Sequence, residues 1–193
     1  MHFLWNTAVI IVDVLRRAGV EVIVASVESN RLEIQASRGV SITADIDIDS
    51  FVSQYTTTGN YVDAIAVPGG MPGAERLRAS EPLSSLLVAH ASRGGLYAAI
   101  CAAPAIVLEP LGLLNGKKCT CHPAFINVLK ENDNLDVDEG KVSFVSQGQC
   151  ITSRGPGTAF SFALKIVSTL CGIEKAKEVA GPMCLPIETI NEI

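Results

Sequence analysis

Cys101 is the residue of this sequence that is best placed for covalent chemistry. It follows the apolar run "LYAAI" (96–100), which predicts a buried strand, and it precedes small residues typical of a helix. The N–H groups at the start of that helix would favour the thiolate and lower the pKa of the thiol. The backbone N–H of Ala102 could also stabilise an oxyanion on a bound carbonyl. The alternative is an ordinary buried cysteine, but the strand-to-helix position favours a nucleophile.

His122 is the candidate acid–base partner of this thiol. Of the other two histidines, His2 lies at the terminus and His90 lies within a helical pattern, whereas His122 ends a strand-like segment just before Pro123. A capping or surface histidine is an equally good interpretation. The segment "CTCH" (119–122) invites a metal site, but successive residues of a strand face opposite sides and no second cysteine pair has finger-like spacing. We therefore predict no bound metal.

The elements that must position these residues alternate between strands and helices. The predicted strands are 20–27, 62–68, 96–100 and 117–122, with paired strands at 31–37 and 40–46 and a hairpin at 142–154. The predicted helices are 8–19, 74–93, 103–114 (broken by Pro110 and Gly112), 123–132 and 157–172, the last being the longest, and 132–141 is a polar turn. This alternation predicts an α/β fold with a mainly parallel sheet.

Four strand ends carry glycine, proline or a reactive group. They are "PGGMPG", "AAICAAP", "CHP" and "SRGPGT". Ligands of parallel sheets bind at the carboxyl ends of the strands, so these segments should share one edge of the molecule. The glycine-rich segments match neither the dinucleotide fingerprint nor the phosphate loop. We therefore predict no cofactor, and backbone donors for a small oxyanion explain these glycines better.

Length and composition restrict the class of protein. The 193 residues, with 48% hydrophobic and 18% charged residues, suit one globular domain spanning 1–193. The net charge of −5, without a basic stripe, argues against nucleic-acid binding. The N-terminal residues form neither a secretory signal nor a membrane span. The six cysteines are best explained as buried free thiols in a reducing compartment. We expect a cytoplasmic protein without membrane contacts.

Five segments of the chain form a distinctive combination. They are "VDVLRRAGVEVIVAS", "DAIAVPGGMPGAERL", "GLYAAICAAPAIVL", "HPAF" and "ITSRGPGTAFSFAL". Together they resemble the parkinsonism-associated protein deglycase branch of the DJ/PfpI (ThiJ/PfpI) superfamily, over almost the whole chain. The resemblance implies a flavodoxin-like three-layer α/β sandwich that forms a homodimer and needs no cofactor.

The resemblance also implies an activity and its residues. The nucleophile corresponds to Cys101 and its partner to His122. The activity would be that of a glyoxalase, which converts methylglyoxal to lactate, or that of a deglycase, which repairs early glycation adducts on protein and nucleotides. Backbone donors for the oxyanion would be Gly69, Gly70 and Ala102. Two residues match basic positions near the site at the family's dimer interface, Arg17 and Arg38. The protease-like branch has histidine where this chain has Ala102, which disfavours a peptidase.

The N-terminal segment departs from the family pattern. Family members begin with a strand and a loop whose glutamate hydrogen-bonds the nucleophilic sulfur, whereas the corresponding position here is Thr7. We therefore expect a missing or shortened first strand, Thr7 as the N-cap of the first helix, and a rate reduced by about 10²–10⁴-fold. The alternatives are a redox-sensing, chaperone-like protein that uses oxidation of Cys101 and an inactive paralogue. The N-terminal departure would fit an alternative start, a truncated gene model or a divergent copy, and the chain could also be one half of a tandem protein.

Overall fold

Strands and helices alternate through the part of the chain that the computed structural model describes, residues 5–28, 30–59, 61–140 and 144–191. The helices are α1 (Trp5–Arg17), α2 (Ile48–Thr58), α3 (Gly73–Ala79), α4 (Glu81–Ser92), α5 (Ile126–Lys130), α6 (Ala159–Cys171), α7 (Ile173–Ala180) and α8 (Ile187–Asn191). The strands are β1 (Ala25–Ser26), β2 (Glu33–Gln35), β3 (Ser41–Thr43), β4 (Ile46–Asp47), β5 (Ala64–Val67), β6 (Leu96–Ile100), β7 (Lys118–Cys119), β8 (Asp136–Val137), β9 (Phe144–Gln147) and β10 (Cys150–Ser153). No helix among these residues has the length and apolar character needed to span a bilayer.

The central sheet contains four strands in the order β5–β6–β10–β9. Strand β6 pairs in parallel with β5 and with β10, and β9 adds an antiparallel edge. All five residues of β6 are buried, as expected for a strand with both faces covered. The prediction of a mainly parallel sheet is therefore confirmed, as are the buried strand 96–100 and the hairpin, of which residues 142 and 143 lie outside the described part.

Two hydrophobic clusters cover the two faces of this sheet. Leu96, Ala98 and Ile100 pack with residues of α1, α6 and α7. Tyr97 and Ala99 pack with residues of α2 and α4. Because successive side chains of a strand point to opposite faces, the order of layers is helix, sheet, helix. This is the three-layer α/β sandwich that the resemblance implies.

The predicted strand at 20–27 is hydrogen-bonded as a strand only at Ala25–Ser26, which pairs with β4. Within the described residues, no strand pairs with the other edge of β1 or of β5. The main chain before β1 is bonded to other groups instead, with Val22 O accepting from Arg16 and Val24 N donating to the Asp45 carboxylate. The missing or shortened first strand stays a prediction, since residues 1–4 lie outside the described part.

Helix α1 begins earlier than the sequence pattern predicts. It starts at Trp5, so Thr7 lies inside the helix and is fully buried rather than acting as the N-cap. The reason is that Thr7 continues the apolar face: the buried residues of α1 are Thr7, Ile11, Val14 and Leu15, at helical spacing. With 13 residues α1 is as long as α6, so the prediction that α6 is the longest helix was wrong.

The helix predicted at 103–114 is a π-helical turn, Pro104–Leu108, followed by a 3-10 turn, Glu109–Leu111. Pro110 has no N–H to continue a regular helix, and Gly112 ends the segment with φ 69°, so the predicted break is confirmed. The helical region 74–93 is divided into α3 and α4 by Ser80, whose side chain caps α4.

Other predicted bounds are wrong in the segment from 117 to 141. The strand predicted at 117–122 is limited to β7, and the helix predicted at 123–132 is a 3-10 turn, Pro123–Phe125, followed by α5. The polar turn at 132–141 contains β8, which pairs in parallel with β7. The paired strands predicted at 31–37 and 40–46 are confirmed as β2 and β3.

Candidate active site

A cavity of about 410 Å³ opens at the carboxyl ends of β5 and β6. Its walls come from four separate segments, and the lining residues are Ser37, Arg38, Gly70, Met71, Cys101, Ala102, His122 and Phe125. This is where parallel α/β sheets place their ligands. The structure therefore brings together the loops "PGGMPG", "AAICAAP" and "CHP" beside one cavity, and Gly155 of "SRGPGT" lies next to the His122 ring.

The backbone of Cys101 has the left-handed conformation, with φ 67°. This conformation is uncommon for a residue with a side chain and is found where the surrounding structure imposes it. Here two hydrogen bonds hold the peptide groups: Cys101 N donates to Ser153 O at 3.0 Å, and Cys101 O accepts from His122 N at 2.8 Å. The turn thus connects the end of β6 to β10 and to the histidine segment.

Gly69 and Gly70 allow the loop after β5 to approach Cys101 closely. A Cβ atom at Gly69 would lie 2.5 Å from Ile100 O and 2.6 Å from the Cβ of Cys101, closer than such atoms normally come. Gly70 has φ 102°, a conformation that favours glycine. The N–H groups of Gly70 and Ala102 are consequently near the Cys101 sulfur, where they favour its thiolate.

Burial is the dominant influence on the Cys101 thiol. It raises the pKa above the ordinary value of 9.0, and the N–H groups of Ala102 and Gly70 lower the pKa without cancelling the effect of burial. The sequence prediction of a lowered pKa is therefore wrong. The reasons are that Cys101 as a residue is only 4% exposed and that the helix expected after it is a short π-helical turn.

His122 is fixed by the turn that follows it. Its Nδ1 accepts a hydrogen bond from Ala124 N at 3.2 Å, which assigns the proton of the neutral ring to Nε2. In this tautomer the ring offers a donor, not a proton acceptor, at Nε2. Among the described residues, no hydrogen bond joins this ring to the Cys101 thiol. His122 is therefore arranged as a hydrogen-bond donor toward a ligand in the cavity.

The two arginines singled out in the sequence occupy different surroundings. Arg38 lines the cavity from a short turn after β2, with φ 63°. Arg17 does not line it; its guanidinium is exposed and pairs with Asp13 at 3.0 Å on α1. The predicted location of both at a dimer interface stays a prediction.

Sequence reasoning did not select three lining residues, Ser37, Met71 and Phe125. Met71 lies within the "PGGMPG" loop, which the sequence places at the ligand-binding edge, so its neighbours in the sequence could have identified it. The Phe125 ring lies 6.1 Å from the His122 ring in an edge-on arrangement, a contact that the sequence spacing suggests only once the turn is known. None of the lining residues in the described part of the chain is an aspartate or glutamate.

Comparisons with known proteins agree with this architecture. Residues 7–169 match the model of the DJ-1/PfpI family. The chain is 40% identical over 178 residues to "Protein DJ-1 homolog B" of Arabidopsis thaliana, covering 92% of this chain but only 38% of that protein. It is 35% identical over 173 residues to "Glutathione-independent glyoxalase DJR-1.2" of Caenorhabditis elegans, covering 90% and 86% of the two chains.

A solved structure shows the same fold. Oxidized DJ-1 of Toxoplasma gondii superposes with a TM-score of 0.85 at 40% identity, over 95% of this chain and 93% of that one. The chain thus spans about two-fifths of the length of the Arabidopsis relatives it matches, but nearly the whole of the Caenorhabditis and Toxoplasma proteins. On the family match and the shared fold, this chain belongs to the DJ-1/PfpI family.

Proposed function

We propose that the protein is a cysteine-dependent, cofactor-independent glyoxalase that acts on methylglyoxal or on early glycation adducts of protein or nucleotides. The observation that carries this proposal is the position of Cys101 at a cavity wall that Gly70 and Ala102 also line, where the N–H groups of these two residues favour the thiolate. The cavity volume of about 410 Å³ is sufficient for a small aldehyde. The similarity to a relative named as a glutathione-independent glyoxalase supports the same activity.

The first step is addition of the Cys101 thiolate to the aldehyde carbon. The S–C bond forms, and the π electron pair of the carbonyl moves to oxygen. The N–H groups of Gly70 and Ala102 are close enough to the sulfur to stabilise this oxyanion. The Nε2–H of His122 donates a hydrogen bond to this oxyanion. The proton that the thiol released to water then returns through water to the oxygen, which gives a neutral hemithioacetal.

The second step is an internal redox exchange between neighbouring carbons. The hydrogen on the former aldehyde carbon leaves as a proton to water, and its electron pair forms an enediol. Protonation of the neighbouring carbon gives a lactyl thioester, which water hydrolyses to lactate and the free thiol. One carbon is oxidised and the other is reduced, so the reaction needs no external oxidant, reductant or cofactor.

Arg38 gives this cavity a positive charge. Its side chain lines the cavity together with the nucleophile, and a guanidinium binds carboxylate or phosphate groups through paired hydrogen bonds. We propose that Arg38 favours 2-oxoaldehyde substrates or glycated adducts that carry an anionic group. The predicted homodimer, with Arg17 and Arg38 near its interface, is a separate proposal that the molar mass in solution would test.

The proposed activity is tested by lactate formation from methylglyoxal in the absence of glutathione. The Cys101→Ser variant should lose activity while keeping its circular dichroism spectrum, because the hydroxyl is a far weaker nucleophile. The matched control is Cys171→Ser, which removes an exposed thiol and should leave the rate unchanged. Equal lactate formation by Cys101→Ser and the unaltered chain would contradict the proposal.

The second candidate function is redox sensing through oxidation of Cys101. It is favoured by the position of this thiol at the wall of an open cavity, whereas Cys119, Cys121 and Cys150 are buried and do not line it. Cys171 and Cys184 are exposed, so the expectation of buried thiols was wrong for these two. In this case Cys101 would gain oxygen before the other cysteines under mild peroxide. Equal oxidation of all six thiols would contradict this candidate, and a folded protein without either property would be an inactive paralogue.

A further inference from the structure

Four buried thiols form a connected group around the proposed active site. Cys121 interacts electrostatically with Cys101 and with Cys119, and Cys119 interacts in turn with Cys150. Of these four, only Cys101 lines the cavity. Cys121 is therefore a second thiol behind the proposed nucleophile, which the glyoxalase reaction described above does not use.

Backbone geometry fixes the distance between Cys101 and Cys121. His122 N donates to Cys101 O at 2.8 Å, and in a trans peptide the Cα of Cys121 lies on the same side as this N–H. With standard bond lengths, the two Cα atoms are therefore within about 6.5 Å of each other. Disulfide-bonded cysteines have Cα separations of about 4.4–6.8 Å, so the main chains of these two residues are close enough for a disulfide bond.

We propose that Cys101 and Cys121 form a reversible disulfide after a peroxide oxidises Cys101. The Cys101 thiolate attacks a peroxide oxygen, the O–O bond breaks, and Cys101 sulfenic acid and hydroxide (or the alkoxide) are formed. The sulfur of Cys121 then attacks the Cys101 sulfur, the S–O bond breaks, and the hydroxyl leaves as water with the Cys121 proton. Two thiols are oxidised and one peroxide is reduced, so the electrons balance.

The surroundings of Cys121 determine the rate of the second step. Burial is the main cause that raises the pKa of this thiol to about 12, with smaller contributions from Cys119 and Cys101. The attacking thiolate is therefore scarce at neutral pH, and disulfide formation should accelerate as the pH rises. The short distance between the two cysteines compensates for the scarcity of thiolate, because the reaction joins two neighbouring segments of one molecule.

The disulfide should also be easy to reduce. Cys101 packs with the cluster on the α6 side of the sheet and Cys121 with the cluster on the α4 side, so the main chain must shift locally and the side chains must rotate to bring the two sulfurs together. A strained disulfide has a higher reduction potential and is the labile, regulatory kind. Dithiothreitol should therefore restore both thiols, whereas sulfinic acid at Cys101 would not be reversed.

The experiment treats the reduced full-length chain with one equivalent of hydrogen peroxide, alkylates free thiols and maps the products by mass spectrometry. We expect a dithiothreitol-sensitive link between the tryptic peptides 94–117 and 119–130, which contain Cys101 and Cys121. The inference rests on the proposed reactivity of Cys101, but the experiment detects the linked peptides by their mass and does not require turnover of an aldehyde. A chain that lacks glyoxalase activity can therefore still form the link, and an active chain can still fail to form it.

Two variants distinguish the partners. The Cys121→Ala variant should lose the link and accumulate irreversible oxygen adducts at Cys101. The matched control Cys119→Ala removes a buried thiol two residues away and should keep the link, which also assigns it within the peptide 119–130. Oxygen addition at Cys101 of the unaltered chain without any link to Cys121 would overturn the proposal, and so would a link only between Cys171 and Cys184. The result for the unaltered chain decides whether the disulfide forms, so poor folding of a variant does not affect the conclusion.

Discussion

At Cys101, burial and backbone hydrogen bonds act on the thiol in opposite directions. Burial raises the pKa, and the N–H groups of Ala102 and Gly70 lower it, with burial prevailing. The thiol is consequently protonated at neutral pH in the free protein. A substrate that closes the cavity would bring its carbonyl to these same N–H groups, so they stabilise the charge as it moves from sulfur to oxygen.

We predict that the reactivity of Cys101 rises with pH beyond the ordinary thiol range. The thiolate is the reacting form, and a raised pKa means that the fraction of thiolate increases through and above pH 9. The measurement is the rate of alkylation by iodoacetamide between pH 7 and 11, in a background with Cys171 and Cys184 replaced by serine. A rate that becomes constant below pH 9 would contradict the assigned direction of the pKa.

A pair of substitutions tests the role of His122 as a donor. The amide N–H₂ of His122→Gln can reach the position of Nε2, whereas the side-chain oxygen of His122→Asn replaces only Nδ1, which accepts from Ala124 N. We expect His122→Asn to reduce kcat by about 10²-fold or more and His122→Gln to reduce it less. Equal losses in both variants would show that a hydrogen bond from the Nε2–H position does not stabilise the oxyanion.

At the scale of elements, the site depends on how closely the loop after β5 approaches the turn after β6. We predict that Gly69→Ala destabilises the protein by about 1–3 kcal/mol, since the added Cβ would meet Ile100 O and the Cβ of Cys101. Gly157→Ala is the control, because no atom lies within 4 Å of its added Cβ. Urea unfolding measures the stability of the two variants, and equal unfolding midpoints would refute the role of this contact.

The elements that the sequence predicts well are those with a strong local pattern. The apolar run 96–100, the hairpin β9–β10 and the break at Pro110 each follow from a few adjacent residues. Strands β1, β7 and β8 were misjudged because each has only two residues, and the strands that they pair with lie about 20 residues away. Such pairing depends on the fold, which the local pattern does not contain.

The candidate site shows the same limit. The position of Cys101 at a strand-to-helix turn follows from its neighbours, and the structure places it beside His122, Gly70 and Ala102. The pKa of Cys101 was predicted in the wrong direction because burial is produced by segments that are distant in the sequence. For the same reason, the sequence did not predict that Arg38 lines the cavity and that Arg17 does not. Both positions depend on how distant segments pack.

At the scale of the whole molecule, helices on both faces of the sheet leave its carboxyl edge open, and the cavity lies at this edge. The measurement that tests the account most directly is to quench the protein during turnover of methylglyoxal and to map covalent adducts while lactate is assayed in parallel. The account predicts an adduct of one substrate on the peptide that contains Cys101, together with lactate formed without glutathione. Lactate formation without an adduct at Cys101, or with adducts only at the exposed Cys171 and Cys184, would contradict it.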